Sequence, residues 1–146
     1  MIDTILFVCE GNICRSPMAQ GLLAKRLPDL SVTSAGLGAL VGRSPDPVAV
    51  ALMAERDIDI AGHTAVGLNL EHMRRASLVL AMTAAQCRRI EAVYPFSKGK
   101  VYRIAEYEGI DVVDPYRKGR EVFEMTLVQI EQGLARWIDK MVCVTN

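Results

Sequence analysis

Cys9 and Arg15 bracket a short polar turn in the stretch "VCEGNICRSP", residues 8–17. The residues around them suggest why. Ile5 to Cys9 is a continuous apolar run, as expected of a strand buried on both faces, so the cysteine stands at a strand end. Ser16-Pro17 then opens a helix, serine suiting the N-cap and proline the first helical position. Between them, Gly11 and Asn12 tolerate left-handed backbone angles, which lets successive N–H groups turn inward as a nest. The helix adds its positive end, and Arg15 a permanently charged planar fork that can grip two oxygens of one phosphate. A thiol at the floor of such a cradle is favoured as thiolate by the field that holds the anion, which makes Cys9 a candidate nucleophile. Glu10, Gly11, Asn12, Ile13, Cys14, Arg15 and Ser16 are the candidate phosphate-binding residues. Taken singly, a cysteine in an apolar strand is a small core residue and Gly-Asn an ordinary turn. Their combination at a strand-to-helix junction is what points to chemistry.

Cleaving a phosphate monoester also needs a proton for the departing oxygen. Asp114 is the candidate acid. Alone, Asp-Pro merely starts a turn, but Pro115 restricts Asp114 to an extended backbone and so aims one carboxyl group.

The elements that must position these groups alternate. "LSVTSAG" (30–36), "SLVLAM" (77–82) and "KVYRI" (100–104) read as three further strands. Helices are expected from Ser16 to about Leu27, over "VAVALMAER" and "TAAQCRRIEAV", and in the last segment. There Phe123, Leu127, Ile130, Leu134, Trp137 and Met141 form one apolar stripe at helical spacing. Residues 105–118 are a loop carrying Asp114. Such alternation implies an α/β fold with a parallel sheet and right-handed crossovers, in which ligands sit beyond the carboxyl ends of the strands. Cys9 occupies such an end, and the loop of Asp114 follows the fourth strand.

The 146 residues, 51% of them hydrophobic, suit one domain over residues 1–146 with a sizeable core. Seventeen Lys plus Arg balance seventeen Asp plus Glu, which argues against nucleic-acid or membrane binding driven by net charge. No apolar run is long enough for a spanning helix, and the N-terminus reads as a strand rather than a signal peptide. Cys9, Cys14, Cys87 and Cys143 follow neither a disulfide nor a zinc pattern. A reducing, cytoplasmic setting without metal is therefore expected. Cys87 and Cys143 read as structural, and His63 and His72 as satisfied or exposed histidines rather than ligands.

At these residues the chain resembles the low-molecular-weight protein tyrosine phosphatases, whose signature Val-Cys-x-Gly-Asn-x-Cys-Arg-Ser-Pro it matches without a gap. The resemblance continues through "SAGLGALVG" (34–42) and "DPYRKGRE" (114–121), most like the bacterial subgroup associated with capsule or exopolysaccharide tyrosine autokinases. It implies a three-layer sandwich around a four-stranded parallel sheet of order 2-1-3-4, as in flavodoxin. It further implies Cys9, Arg15 and Asp114 as catalytic residues, and Asn12 as a brace of the loop with Ser34 as partner. Leu40 and Tyr116 would wall an aryl slot. Ser16 would stabilise the thiolate, cap the helix, or do both. Relatives acting on phosphoarginine carry threonine where this chain has Ile13, so isoleucine favours phosphotyrosine. The implied partner is a phosphotyrosine protein, such as a bacterial tyrosine autokinase, met by a monomer or weak dimer, with no cofactor. Cys14 reads equally as a redox partner of Cys9 and as an inert buried thiol. One departure stands out: after His63 many relatives have Ala-Arg-Gln, and this chain has "HTAVGLN". Two rival readings share the cradle. An arsenate reductase would need a closely spaced cysteine pair, which Cys87 and Cys143 do not form. A phosphotyrosine-binding module without catalysis would not need Asp114 beside Cys9.

Overall fold

The computed structural model describes residues 2–145, with side chains through residue 142, so Cys143 lies outside the described side chains. Four parallel strands, β1 (Thr4–Cys9), β2 (Ser31–Gly36), β3 (Leu78–Ala81) and β4 (Val101–Arg103), form one sheet in the order β2-β1-β3-β4. The helices are α1 (Arg15–Arg26), α2 (Pro47–Ala54), α3 (Leu70–Arg75), α4 (Ala84–Val93) and α5 (Arg120–Thr145). The three-layer sandwich with order 2-1-3-4 is the one expected. Among the described residues no helix is long and apolar enough to cross a membrane.

Alternation along β1 divides the core. Ile5, Phe7 and Cys9 face α1, α2 and α5, whereas Leu6 and Val8 face α3 and α4. Both faces of β1 are covered, which is why its apolar run is unbroken. Strands β3 and β4 are shorter than the segments 77–82 and 100–104 that contain them. A hexapeptide helix, α3, escapes sequence periodicity altogether because it is under two turns long. Its only local mark is Asn69, whose side chain accepts from His72 N while the His72 ring accepts from Asn69 N. His72 is thus a capping residue. Burial holds its imidazole below the ordinary pKa range. Two other starts follow the rules directly: Asp46 caps α2 ahead of Pro47, and Thr83 with Gln86 forms a capping box on α4.

One expected start moves. Helix α1 begins at Arg15, with Cys14 in the N-cap position and no side-chain cap. Ser16 therefore lies inside the first turn and is not the N-cap. Its hydroxyl is turned toward Cys9 instead.

Helix α5 closes the fold by lying against the exit of β4. Trp137 Nε1 donates to the carbonyl of Ile104 at 3.0 Å. One turn earlier, Gly133 passes so near the same carbonyl that a Cβ there would stand 2.6 Å from it. The helix stripe is core, as its spacing suggests, and Gly133 is the position that allows the close approach. Alanine gains about 1 kcal/mol of helix propensity over glycine, but overpacking against backbone costs about 1–3 kcal/mol. Gly133→Ala should therefore lower the urea midpoint of unfolding; an unchanged or higher midpoint would refute the packing account.

Candidate active site

The loop between β1 and α1 is shaped by where its carbonyl groups go. The Cys9 carbonyl accepts from Leu37 N at 3.0 Å, Glu10 from Gly38 N at 2.9 Å and Gly11 from Leu40 N at 3.0 Å. Asn12 O accepts from His63 Nε2 at 2.9 Å, and Ile13 O from Asp46 N at 2.9 Å. A carbonyl can only accept, so the His63 tautomer carries its proton on Nε2. Five successive carbonyls are held from outside by residues 37–46 and His63. Since C=O and N–H point to opposite sides of each peptide, the intervening amides are directed into the loop. Gly36 permits this close packing, because a Cβ there would meet the Glu10 carbonyl at 2.6 Å.

Asn12 makes the turn. Its φ of 60° is left-handed, and Gly11, also expected to be able to adopt such an angle, does not use it. The Asn12 side chain is fully buried. Its Nδ2 donates to Ser16 Oγ at 2.7 Å and Ser34 Oγ at 3.1 Å, and its Oδ1 accepts from Val66 N at 2.9 Å. Ser34 Oγ in turn donates to Gln20 Oε1 at 2.6 Å. The Asn12–Ser34 pair is the expected one. His63, Val66 and Gln20 complete the brace and were not foreseen. The "HTAVGLN" departure therefore falls in a segment whose backbone holds Asn12.

Cys9 lies at the floor, 2% exposed. Its Sγ accepts from Asn12 N at 3.2 Å and lies 2.8 Å from Ser16 Oγ. Since Ser16 Oγ receives Asn12 Nδ2, its own proton is free to point at sulfur. The first turn of α1 contains no acidic residue, so nothing on the helix itself neutralises its positive end. Arg15 is buried, at 4% exposure. It donates through Nη1 to Val112 O at 3.0 Å, and its Nη2 lies 3.6 Å from Asp114 Oδ2.

That contact brings the distant acid loop to the cradle. The loop is anchored just ahead of Asp114: Val112 N donates to Met82 O at 2.9 Å, while Val113 bonds to Gln129 and Thr126 of α5. Asp114 itself is half exposed and accepts from Tyr116 N at 3.1 Å. Leu40, Ile13 and Tyr116 line the slot above Cys9, together with Glu10, Gly38 and Asp114. Arg117, with a left-handed φ of 62°, stacks over the Tyr116 ring at 5.1 Å. Every residue expected at the site is brought to it. At the far end of "YRKGR", Arg120 pairs with Glu55 and Glu124.

Cys14 is buried beside Cys9, and both are free thiols. Burial pushes the Cys14 thiol far above its ordinary range, and Asp46, Cys9 and Asp114 push the same way against Arg15. Cys87 is pushed up to about 11, chiefly by burial. Neither has a tendency to ionise at neutral pH. Among the described residues no cluster of three or more His, Cys, Asp or Glu could hold a metal ion.

The family model for low molecular weight phosphotyrosine protein phosphatase matches residues 4–143. The chain is 50% identical over 141 residues to a probable low molecular weight protein-tyrosine-phosphatase, EpsP, of Ralstonia solanacearum, covering 97% of each. Its structure resembles that of the tyrosine phosphatase Wzb from Escherichia coli K30 in complex with sulphate, with a TM-score of 0.92 and 32% identity over 97% of this chain and 99% of that one. It also resembles the YwlE arginine phosphatase of Geobacillus stearothermophilus, with a TM-score of 0.90 and 35% identity over 97% and 94% of the two chains. Matched by the family model over residues 4–143 and by a relative 50% identical along nearly the whole of both chains, the chain belongs to the low-molecular-weight protein tyrosine phosphatase family.

Proposed function

We propose that this chain hydrolyses phosphotyrosine in proteins through a cysteinyl-phosphate intermediate. The observation that carries the reading is the position of Cys9 Sγ, at the base of a loop whose carbonyls are all drawn outward and beside a buried arginine.

The steps follow from that geometry. The Cys9 thiolate attacks phosphorus along the axis of the loop. As charge grows on the three equatorial oxygens, the inward amides and the Arg15 guanidinium stabilise it. The bond from phosphorus to the tyrosine oxygen breaks, and that oxygen takes the proton of Asp114. Asp114, now a carboxylate, removes a proton from water, whose oxygen attacks phosphorus and releases phosphate and the Cys9 thiolate. In this scheme Asn12 and Ser34 act by holding the loop, and Ser16 by donating to sulfur. Phosphoryl transfer here is mostly positioning and charge stabilisation, which arginine and amides can supply.

Substrate choice rests on the slot. The apolar side chains of Ile13 and Leu40 and the ring of Tyr116 suit an aromatic ring above the phosphate. Ile13 is the residue that favours phosphotyrosine over phosphoarginine. A tyrosine autokinase of capsule or exopolysaccharide production is the partner that the likeness of residues 34–42 and 114–121 supports, with the reaction taking place in the cytoplasm.

In chelator, the protein should release phosphate from phosphotyrosine peptides and not from phosphoserine or phosphoarginine peptides. Faster release from phosphoarginine would overturn the substrate assignment. Cys9→Ser should abolish turnover. Asp114→Asn should lower kcat by roughly 10²–10⁴-fold while inorganic phosphate still binds. Equal loss of binding and turnover in that variant would count against the acid role.

A further inference from the structure

The charged side chains that line the slot do not balance for an anionic ligand. Glu10 and Asp114 contribute two carboxylates and Arg15 one guanidinium. With the Cys9 thiolate added, a phosphate dianion would meet a mouth richer in negative than in positive charge. Asp114 enters the reaction protonated in the proposed scheme. Glu10 has no such role, so its charge needs another answer.

The structure holds one. Glu10 Oε2 accepts from Arg89 Nη1 of α4 at 2.8 Å, across 79 positions of sequence. The carboxylate reaches that far by lying over Gly38, where a Cβ would come within 2.8 Å of Glu10 Oε1. The absence of a side chain at position 38 is therefore what lets the Glu10 side chain lie flat along the wall. Arg89 lies outside the residues that line the slot. Both partners are about half exposed, so the pair adds little to stability. Its effect is on the charge that an incoming anion meets.

We propose that Arg89 is a positioning residue for substrate binding: by clasping Glu10 across Gly38 it neutralises and draws aside the carboxylate at the mouth of the anion cradle. The inference rests on the phosphatase reading for its substrate, but its direct consequence is affinity for a phosphate oxyanion. Arg89 touches the Glu10 side chain and none of the reacting atoms, so it should affect binding without affecting the chemical step. An unpaired carboxylate at a partly solvated rim opposes an anion by an amount comparable to an exposed ion pair, equivalent to about three-fold in affinity, and salt should screen it.

The test compares wild type, Arg89→Ala, Arg89→Lys, Glu10→Gln and the double variant Arg89→Ala/Glu10→Gln. Inorganic phosphate affinity would be measured by calorimetry, and kcat and KM with an aryl phosphate. Arg89→Ala should weaken phosphate binding and raise KM by about three-fold with kcat unchanged, and the difference should shrink at about 1 M salt. Arg89→Lys should behave as wild type. The double variant should recover wild-type affinity, because position 10 serves the cradle through its backbone, which glutamine keeps, and the carboxylate that Arg89 restrains is gone. Wild-type affinity in Arg89→Ala would overturn the proposal, as would a double variant as weak as Arg89→Ala, which would mean that the guanidinium itself attracts the anion. If Arg89→Ala did not fold, Glu10→Gln would still decide: it must bind phosphate at least as tightly as wild type, and weaker binding refutes the clasp. Failure of the phosphatase reading would appear differently, as absent turnover in all five proteins, with the phosphate titrations still testing the clasp.

Discussion

The outward pull on five consecutive carbonyls, from Cys9 to Ile13, is the constraint on which this molecule's site depends. A peptide plane cannot send its oxygen one way without sending its N–H the other. The anion cradle is thus made indirectly, by the segments behind it. The backbone of residues 37–46 supplies four of the donors and His63 the fifth. The concave face needs no charged side chain of its own except Arg15.

Asn12 shows what such a loop costs and how the cost is met. A left-handed angle at a non-glycine residue is unfavourable by roughly 1–2 kcal/mol, and a buried amide side chain left unbonded would add a further penalty. Both are offset because the side chain reaches three separate segments, around residues 16, 34 and 66, with no polar atom of that amide left unpaired. Glycine would relax the backbone angle but remove the brace. Asparagine does both tasks because it tolerates the left-handed region and carries a donor and an acceptor on one short stem.

What could be read from the chain follows sequence distance. The cradle was legible because its residues are contiguous, and the alternation of strand and helix is a local pattern. The Asp114 loop could be anticipated from Asp-Pro after the last strand. By contrast, His63 and Val66 reach Asn12 from 51 and 54 positions away, and nothing near them in sequence marks that contact. Gly36 ends β2 as its segment suggests and Gly38 follows it, but nothing local shows that both must be small because Glu10 lies against them. Of the roles open to Ser16, the place beside sulfur is taken and the cap is not, for a physical reason. A hydroxyl in the first turn has competing uses, and the sulfur of Cys9 together with the Asn12 amide outbids the backbone of α1. Helix α3 was missed because six residues are too few to establish a period.

The anchorage of the Asp114 loop ties the proton donor to a different part of the fold from the anion seat. The cradle draws on residues 9–16, 34–46 and 63–66. The carboxyl group that completes the site sits on a loop tied through Val113 to Gln129 and Thr126 of α5. Local opening of α5 around those two residues would therefore free the proton donor while the oxyanion seat keeps its own bonds, so a small perturbation of the helix costs hydrolysis before it costs anion binding.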